Sequence, residues 1–306
     1  SYSHHSTQAP PHNCESHRRS CAMATSRSRG FDARRLILPL AVGAVSAAAS
    51  STPAVGASLA PSPCDLLSAC KRPDRCLIMS EAPPGTFDVA FTTTAGSFTV
   101  RAFLSWAPPF VQRFWVLSQL KYMQEARFFR VDKISAEDAF VAQFGYRGEP
   151  LVDQCWDKLQ TSNATWSVHL PGNVRGTVAF AMDAVNSTGA NPNCTAADYC
   201  AQGFSTNMFI NYANNSRLNP HGFAIVGTVL EPGMEVVDRL YSGYGEVSDL
   251  CPSGGIDKFY KGLGPDCRGV NSTRLVLEGE SYISRDKALL DRILGVNVKS
   301  AAEFVV

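Results

Sequence analysis

The chain has 306 residues, which is enough for one large domain or two small ones. Hydrophobic residues make up 45% of it, charged residues 18%, and its formal net charge is only +1. This balance gives no electrostatic basis for binding nucleic acid or an acidic membrane surface, so we expect neither and look for function in a local site.

Residues 1–57 are predicted to be a leader rather than part of the fold. After Met23, a basic stretch, 26-SRSRGFDARR-35, is followed by an apolar run, 36-LILPLAVGAVSAA-48, and then by small residues. This order is typical of a secretory signal peptide. Residues 1–22 precede a plausible initiator methionine and fit upstream residues that the mature chain lacks.

The leader also indicates the compartment. Its apolar run is short for a bilayer and contains Pro39, so we expect no membrane span in the mature chain. We expect the secretory pathway, either the lumen of the endoplasmic reticulum or the outside of the cell. The pair Arg34-Arg35 leaves targeting to a plastid lumen as the alternative.

Residues 58–84 are rich in Pro, Ser and Cys and have no helical or strand period, which indicates a linker or a disulfide-held arm. Beyond the leader the chain has eight cysteines: Cys64, Cys70, Cys76, Cys155, Cys194, Cys200, Cys251 and Cys267. Local disulfides are predicted for Cys194 with Cys200 and for Cys251 with Cys267. The pairing of the other four stays open, and reduced, buried cysteines are the alternative.

Five sequons support the secretory route. Each starts an N-x-S/T triplet: Asn163, Asn186, Asn193, Asn214 and Asn271. We expect a glycoprotein.

The elements after residue 84 are mostly short strands. The runs 87–94 and 97–103 predict two strands around a turn at Ala95-Gly96, and 110–123 predicts a helix opened by Pro108 and Pro109. Further strands are predicted at 138–144, 176–182, 206–211, 222–229 and 273–279. Helices are predicted at 233–243 and, at the end of the chain, at 284–295. Many short strands with few helices indicate a mainly β, antiparallel barrel or sandwich.

One stretch combines core-like residues with a permanent charge: 127-RFFRVDKISAEDAFVAQFG-145. Arg130 follows two phenylalanines, and a second apolar run ends at Gln143. An edge strand whose arginine points to water is one interpretation. A pocket with one polar group at its wall is the other.

The order of motifs resembles the cyclophilin family of peptidyl-prolyl isomerases, and it is closest to a large, divergent branch found in bacteria and algae-like eukaryotes. Six segments occur in the family's order: 107-APPFVQRF-114, 128-FFRV-131, 140-FVAQFG-145, 176-GTVAFAM-182, 206-TNMFIN-211 and 218-LNPHGFAIVGTVLEPGMEVVD-238. The resemblance implies a closed eight-stranded antiparallel barrel capped by two helices. It places the domain at 85–282, with a helical tail at 283–306.

The resemblance also assigns roles. Arg130 matches the catalytic arginine, and Gln143 matches the glutamine that orients it. Phe140, Val141, Phe209 and Leu218 match the wall of the proline pocket. Ala181 and Met182 match the residues whose backbone holds the peptide, while Asn207 stands where a glutamine is usual and Phe223 where a histidine is usual.

The chemistry explains why an arginine would stand among phenylalanines. Rotation about an X-Pro bond must break amide resonance, at a barrier of roughly 20 kcal/mol. A site accelerates it by binding the twisted amide better than either planar form. An apolar cup for the proline ring and a fixed donor facing the amide nitrogen suffice, so we expect no metal, nucleophile or cofactor. The expected partners are proline-containing segments of client proteins, and we expect a monomer.

Several positions depart from the family pattern. Phe129 replaces a histidine, which should matter little, and 132–138 adds about five residues between Arg130 and the cup. Arg217 stands at a rim position that is often tryptophan, which weakens the expectation of cyclosporin binding. The insertion 183–204 lies beside the expected groove. A catalytically weak or inactive module that binds proline-containing segments is therefore the alternative to an isomerase.

Overall fold

The computed structural model describes residues 64–133, 139–161, 171–181, 191–196, 200–250 and 269–300. The leader lies outside this range. The described residues form one eight-stranded sheet in which every paired neighbour is antiparallel. Its strands are β1 (Thr86–Thr93), β2 (Gly96–Phe103), β3 (Arg130–Lys133), β4 (Ala139–Phe144), β5 (Thr177–Phe180), β6 (Met208–Asn211), β7 (Ile225–Val229) and β8 (Ile293–Ser300).

The sheet is an open, curled half-barrel with the strand order β3-β4-β6-β5-β7-β2-β1-β8. The predicted closed barrel is therefore wrong. The edge strands approach each other just before β3 and β8, where Arg127 and Arg292 form an isolated bridge and Phe128 N donates to Asp291 O at 3.0 Å. Beyond this bridge no ladder joins β3 to β8 among the described residues. β3 has only four residues, and β8 pairs along its whole length with β1.

Seven helices accompany the sheet in the described ranges. They are α1 (Leu66–Lys71), α2 (Leu77–Ser80), α3 (Pro108–Gln119), α4 (Pro150–Lys158), α5 (Met234–Val237), α6 (Ser272–Glu278) and α7 (Glu280–Asp286). Single stretches of 3-10 helix cover Pro73–Arg75, Ser216–His221 and Ser248–Leu250. None of these helices is long and apolar enough to cross a membrane.

The predicted hairpin and the first predicted helix are confirmed. β1 and β2 pair in register from Thr86–Phe103 to Thr93–Gly96, and Gly96 has a φ of +131°, which favours glycine at this turn. Helix α3 begins with two prolines and buries its apolar face, including Phe110 and Phe114.

The core fills the concave side of the sheet with aromatic rings. Phe91 contacts Phe98 at 5.1 Å between ring centroids and Phe144 at 6.0 Å, and Phe128 lies 5.2 Å from Phe144. All four side chains are at most 3% exposed. Each such burial contributes about 2 kcal/mol, so this cluster joins β1, β2 and β4 into one unit.

The strand predicted at 273–279 is wrong, because these residues form helix α6. Asn271 caps the helix by accepting a hydrogen bond from Arg274 N at 2.7 Å, and Arg274 forms an ion pair with Glu278 one turn on. The alternation of apolar residues suggested a strand. In the helix, Leu275 is buried and Leu277 is 60% exposed.

The terminal helix predicted at 284–295 is also wrong over most of its length. Helix α7 ends at Asp286, and the chain then forms β8. Leu289 and Leu294, which the helical pattern placed on an apolar face, are 61% and 40% exposed. Ile293 and Val296 are buried against β1 instead, because pairing with the long first strand outweighs the weak local preference.

The helix predicted at 233–243 forms only over Met234–Val237. Beyond it the chain runs as turns toward Glu246. This short helix leaves a long excursion between β7 and β8, which contains α6 and α7.

The segment 58–84, predicted as a linker or a disulfide-held arm without helical period, is described from residue 64 and contains helices α1 and α2. Disulfides join Cys64 to Cys76 and Cys70 to Cys155, which resolves the pairing that the sequence left open. The second bond fastens α1 to α4, and Trp156 Nε1 donates to Leu66 O at 2.9 Å beside it. The structure also contains the predicted bond between Cys194 and Cys200. Cys251 and Cys267 lie outside the described residues.

Candidate active site

The register of the sheet places the proposed site residues on one face. Arg130 on β3 pairs with Gln143 on β4, and Gln143 pairs with Phe209 on β6. Directly paired residues of antiparallel strands point to the same side of the sheet, so the three side chains are neighbours on one face. The opposite face carries the aromatic core.

Arg130 reaches the phenylalanine predicted to line the cup. Its Nη1 donates to Gln143 Oε1 at 3.2 Å, and its Cζ lies 5.2 Å from the ring centroid of Phe140. The register shifts between Val131 and Lys133, so part of the extra length is taken up as an irregularity within the β3–β4 pair. The structure therefore brings Arg130 and Phe140 together despite the added residues. Residues 134–138 themselves lie outside the described range.

The three other apolar side chains predicted for the cup's far wall and rim come from separate elements. Phe209 comes from β6, Leu218 from the 3-10 segment Ser216–His221, and Phe223 from the loop that precedes β7. Phe209 and Phe223 meet edge to face, 5.7 Å apart. Each of the three exposes less than a tenth of its surface, and Val141 exposes 2%.

Two residues that the resemblance assigns to peptide binding, Ala181 and Asn207, lie beside each other just after β5 and just before β6. Ala181 N donates to Asn207 O at 2.8 Å, so this part of the backbone is already fixed to the loop before β6. Asn207 is buried, and its Oδ1 has no hydrogen-bond partner among the described residues. An orphaned buried acceptor is unusual in a folded protein. Met182 lies outside the described residues.

The sequence analysis missed Glu246. Its Oε2 forms an ion pair with Arg130 Nη2, and its Oε1 accepts a hydrogen bond from Val247 N at 2.7 Å. Burial raises the pKa of the Glu246 carboxyl, and the Arg130 charge opposes that shift. Glu246 is 116 positions from Arg130, so no local pattern connects the two.

A second buried acid lies two positions after Arg130. Asp132 is 6% exposed. Burial raises the pKa of the Asp132 carboxyl, while the positive charges of Arg130 and Arg217 lower it. The site thus holds two arginines and two carboxyl groups close to an apolar cup, where water screens charges less than at the surface.

Arg217, at the rim, lies over the same ring as Arg130. Its Cζ is 4.6 Å from the centroid of Phe140, and its Nη1 donates to Asn215 Oδ1 at 2.7 Å. Asn215 in turn donates to Phe140 O at 2.9 Å. This bracing fixes Phe140, which is only half-buried, between strand β4 and the rim.

Phe129 belongs to a separate group of buried side chains, here called the second apolar cluster. Its members are Phe129, Tyr146, Val247, Val270, Leu275, Tyr282, Ile283 and Leu290. Phe129 lies 5.5 Å from Tyr146 and is 2% exposed. The residue next to Arg130 therefore anchors the excursion that carries α6 and α7.

The glycosylation candidates differ in exposure. Asn214 is exposed, whereas Asn193 is 5% exposed and donates from Nδ2, the atom that would carry a glycan, to Asn191 Oδ1 at 3.2 Å. Asn271 caps helix α6. Asn163 and Asn186 lie outside the described residues.

No protein-family model matches the chain, and no curated protein matches it in sequence. Its structure is similar to a cyclophilin-type peptidyl-prolyl cis-trans isomerase of Cryptosporidium parvum, with a TM-score of 0.40 and 18% identity over 70% of this chain and 98% of that one. It is also similar to a structure of that type from the same organism in the presence of the dipeptide Ala-Pro, with a TM-score of 0.36 and 17% identity over 70% of this chain and 99% of that one.

Proposed function

We propose that this protein is a peptidyl-prolyl cis-trans isomerase that acts on X-Pro bonds of client proteins. One observation carries the proposal: the Arg130 guanidinium lies 5.2 Å from the Phe140 ring while Gln143 accepts a hydrogen bond from it. A fixed multivalent donor beside an apolar cup is the arrangement that the twisted amide requires.

In this mechanism the proline ring enters the cup of Phe140, Phe209, Leu218 and Phe223. The peptide backbone lies beside the backbone of Ala181 and Asn207. As the X-Pro bond twists, its nitrogen loses conjugation and becomes a hydrogen-bond acceptor. Arg130 donates to that nitrogen, which stabilises the twisted form over both planar forms.

The first test is the substitution Arg130→Lys. The lysine ammonium keeps a positive charge opposite the buried Glu246 but lacks the planar fork of donors, so the fold should survive while catalysis does not. We expect kcat/KM on an Ala-Pro peptide to fall by about a hundredfold. Two-dimensional NMR exchange between cis and trans signals measures this without a coupling enzyme.

The matched control is Arg72→Ala, which removes an exposed arginine of the arm and should leave kcat/KM unchanged. Equal rates for wild type, Arg130→Lys and an uncatalysed blank would show that the protein is not an isomerase.

A second candidate function is a binding module without catalysis. The low exposure of Phe209, Leu218 and Phe223 and the position of Arg217 over Phe140 favour it. In that case proline peptides would shift the NMR signals of Phe209 and Phe223 without faster cis-trans exchange. Fast exchange would exclude it.

We also propose that the protein works in the secretory pathway, after removal of residues 1–57. Three disulfides among the described residues favour an oxidising compartment. Expression with a fluorescent C-terminal fusion tests the route: retention of the fusion in the cytosol would contradict it.

A further inference from the structure

The ion pair between Arg130 and Glu246 is not needed for the reaction as described above. A donor and a cup suffice for rotation about an X-Pro bond. Yet Glu246 comes from the turns after α5, lies only 4% exposed, and places a carboxylate directly on the proposed catalytic group. Burying a carboxylate costs free energy unless it is paired. The Arg130–Glu246 ion pair is therefore part of the structure of the site and needs a role.

Glu246 and Gln143 hold different nitrogens of the same guanidinium. Gln143 accepts from Nη1, and Glu246 pairs with Nη2. An arginine side chain has several freely rotating bonds, and one contact leaves it free to turn about that contact. Two contacts on two terminal nitrogens fix the plane of the guanidinium in front of the Phe140 ring.

Glu246 is itself rigidly held. Val247 N donates to its Oε1, and Ser248 N donates to Val270 O at 2.9 Å just beyond it. Gly269 approaches so closely that a Cβ there would lie 1.5 Å from the Glu246 carbonyl oxygen. The second apolar cluster, which contains Val247 and Val270, therefore fixes the carboxylate from behind.

We propose that Glu246 is a positioning residue for Arg130, and that its ionised carboxylate is required for full isomerase activity. This inference rests on the proposed function. It makes the excursion between β7 and β8 part of the catalytic apparatus, and it makes the rate depend on pH although the reaction transfers no proton.

The direction of the pH dependence follows from the surroundings of Glu246. Among the described residues the charged groups that act on it are Arg130 and Asp132, both on β3. Burial raises the pKa of Glu246 above its ordinary value of 4.5, and Asp132 adds to that rise. Glu246 therefore takes up a proton at a higher pH than an ordinary glutamate does, Arg130 loses the charged partner that orients it, and the rate falls as the pH falls.

The test measures kcat/KM against pH by NMR exchange on a proline peptide without titratable side chains. Wild type is compared with Glu246→Gln, which keeps the size and one acceptor oxygen but removes the charge. The matched control is Asp132→Asn, which removes the other buried acid. Circular dichroism and thermal unfolding establish that each variant is folded at each pH.

We expect the wild-type rate to fall at acidic pH, and Glu246→Gln to be about tenfold slower at neutral pH with a flat profile. The loss should fall on kcat with KM little changed. Asp132→Asn should keep the acidic decline. Slowed rotation of the Arg130 guanidinium, seen in its nitrogen NMR signals in the wild type and lost in Glu246→Gln, is the spectroscopic counterpart.

An unchanged or faster rate for Glu246→Gln, or an acidic decline that persists in it, would overturn the inference. Where Glu246→Gln does not fold, the wild-type profile decides, since a flat profile overturns the inference equally. Failure of the proposed function is a different result: wild type and Arg130→Lys would then both be inactive at every pH.

Discussion

Phe140 contacts two guanidinium groups, those of Arg130 and Arg217, within 5.2 and 4.6 Å of its centroid. The first is the proposed catalytic donor, and the second is held by Asn215 at the rim. A cation over an aromatic face gains about 1 kcal/mol at a partly exposed site. A ligand that needs the Phe140 ring must compete with Arg217 for it.

Replacing Arg217 by tryptophan should therefore increase cyclosporin affinity by about tenfold, a gain of about 1.4 kcal/mol. Tryptophan removes the charge and its stacking, and it restores the residue that often stands at this rim in the cyclophilins that the sequence resembles. Isothermal titration calorimetry measures the change. Arg217→Ala is the control, because it uncovers Phe140 without adding a ring. An equal gain in both variants would show that uncovering alone is responsible.

At the scale of single elements, helix α4 depends on one buried carboxylate. Asp153 is fully buried in its first turn and accepts three hydrogen bonds: from Tyr122 Oη at 2.7 Å, Arg147 N at 2.8 Å and Gly148 N at 2.8 Å. Burial raises the pKa of Asp153, and these donors oppose the rise. The acid links the turn after α3 to the loop that begins α4.

Asp153→Asn should destabilise the fold by about 2 kcal/mol. All three partners of Asp153 donate hydrogen bonds to it, and the NH₂ group of an asparagine would face one of these donors without an acceptor. Tyr122→Phe removes only one of the three hydrogen bonds and should cost about 1 kcal/mol. Urea unfolding followed by circular dichroism compares the two. A smaller loss for Asp153→Asn than for Tyr122→Phe would contradict this account of the helix start.

The elements also show where sequence reasoning succeeds. β1, β2 and α3 were predictable because their apolar periods, turn glycine and opening prolines agree with one another. α6 was not, since the strand-like alternation of Leu275 and Leu277 hid the helix cap at Asn271 and the pair Arg274–Glu278. β8 failed for a different reason: its partner, β1, lies about two hundred residues earlier, and only tertiary pairing selects a strand there.

The residues of the candidate site likewise fall into those that the sequence predicted and those that it did not. Arg130, Phe140 and Gln143 lie on two successive strands, so their chemistry and spacing suggested a common pocket that the β3–β4 register brings together. Glu246 comes from a segment without regular structure, and its importance depends on a contact that spans 116 positions. The sequence analysis expected the phenylalanine at position 129 to matter little. Its place in the second apolar cluster could not be predicted, because the sequence does not show which of two clusters a buried aromatic residue joins.

At the scale of the whole molecule, disulfides contribute according to the chain they close. Cys70–Cys155 spans 85 residues and Cys194–Cys200 spans 6. In the chain-entropy account these bonds are worth roughly 4.5 and roughly 2 kcal/mol. The first bond also fastens the arm to the helix that Asp153 organises.

The pair Cys70→Ser/Cys155→Ser should therefore lower the thermal midpoint more than Cys194→Ser/Cys200→Ser. Differential scanning calorimetry measures both, and wild type with added reductant, which also breaks Cys64–Cys76, should lose more stability than the sum of the two. Isomerase activity in the folded state should be retained in Cys70→Ser/Cys155→Ser, since the arm contributes no residue to the site. A larger loss of stability from the short loop would contradict the entropic ranking.

The pairing of β1 with β8 has a consequence for how the protein is made. The first strand pairs with the last: Phe87 lies opposite Ser300, and the two strands remain in register, with one irregularity, back to Thr93 and Ile293. A ribosome that has completed β1 and β2 must still add about two hundred residues before the apolar edge of β1 is covered. During that interval, which lasts on the order of ten seconds or more, the nascent chain exposes a strand edge that invites wrong partners. A protein proposed to assist the folding of others is thus itself exposed to misfolding while it is synthesised. Its yield of folded protein should rise when chaperones are more abundant during synthesis.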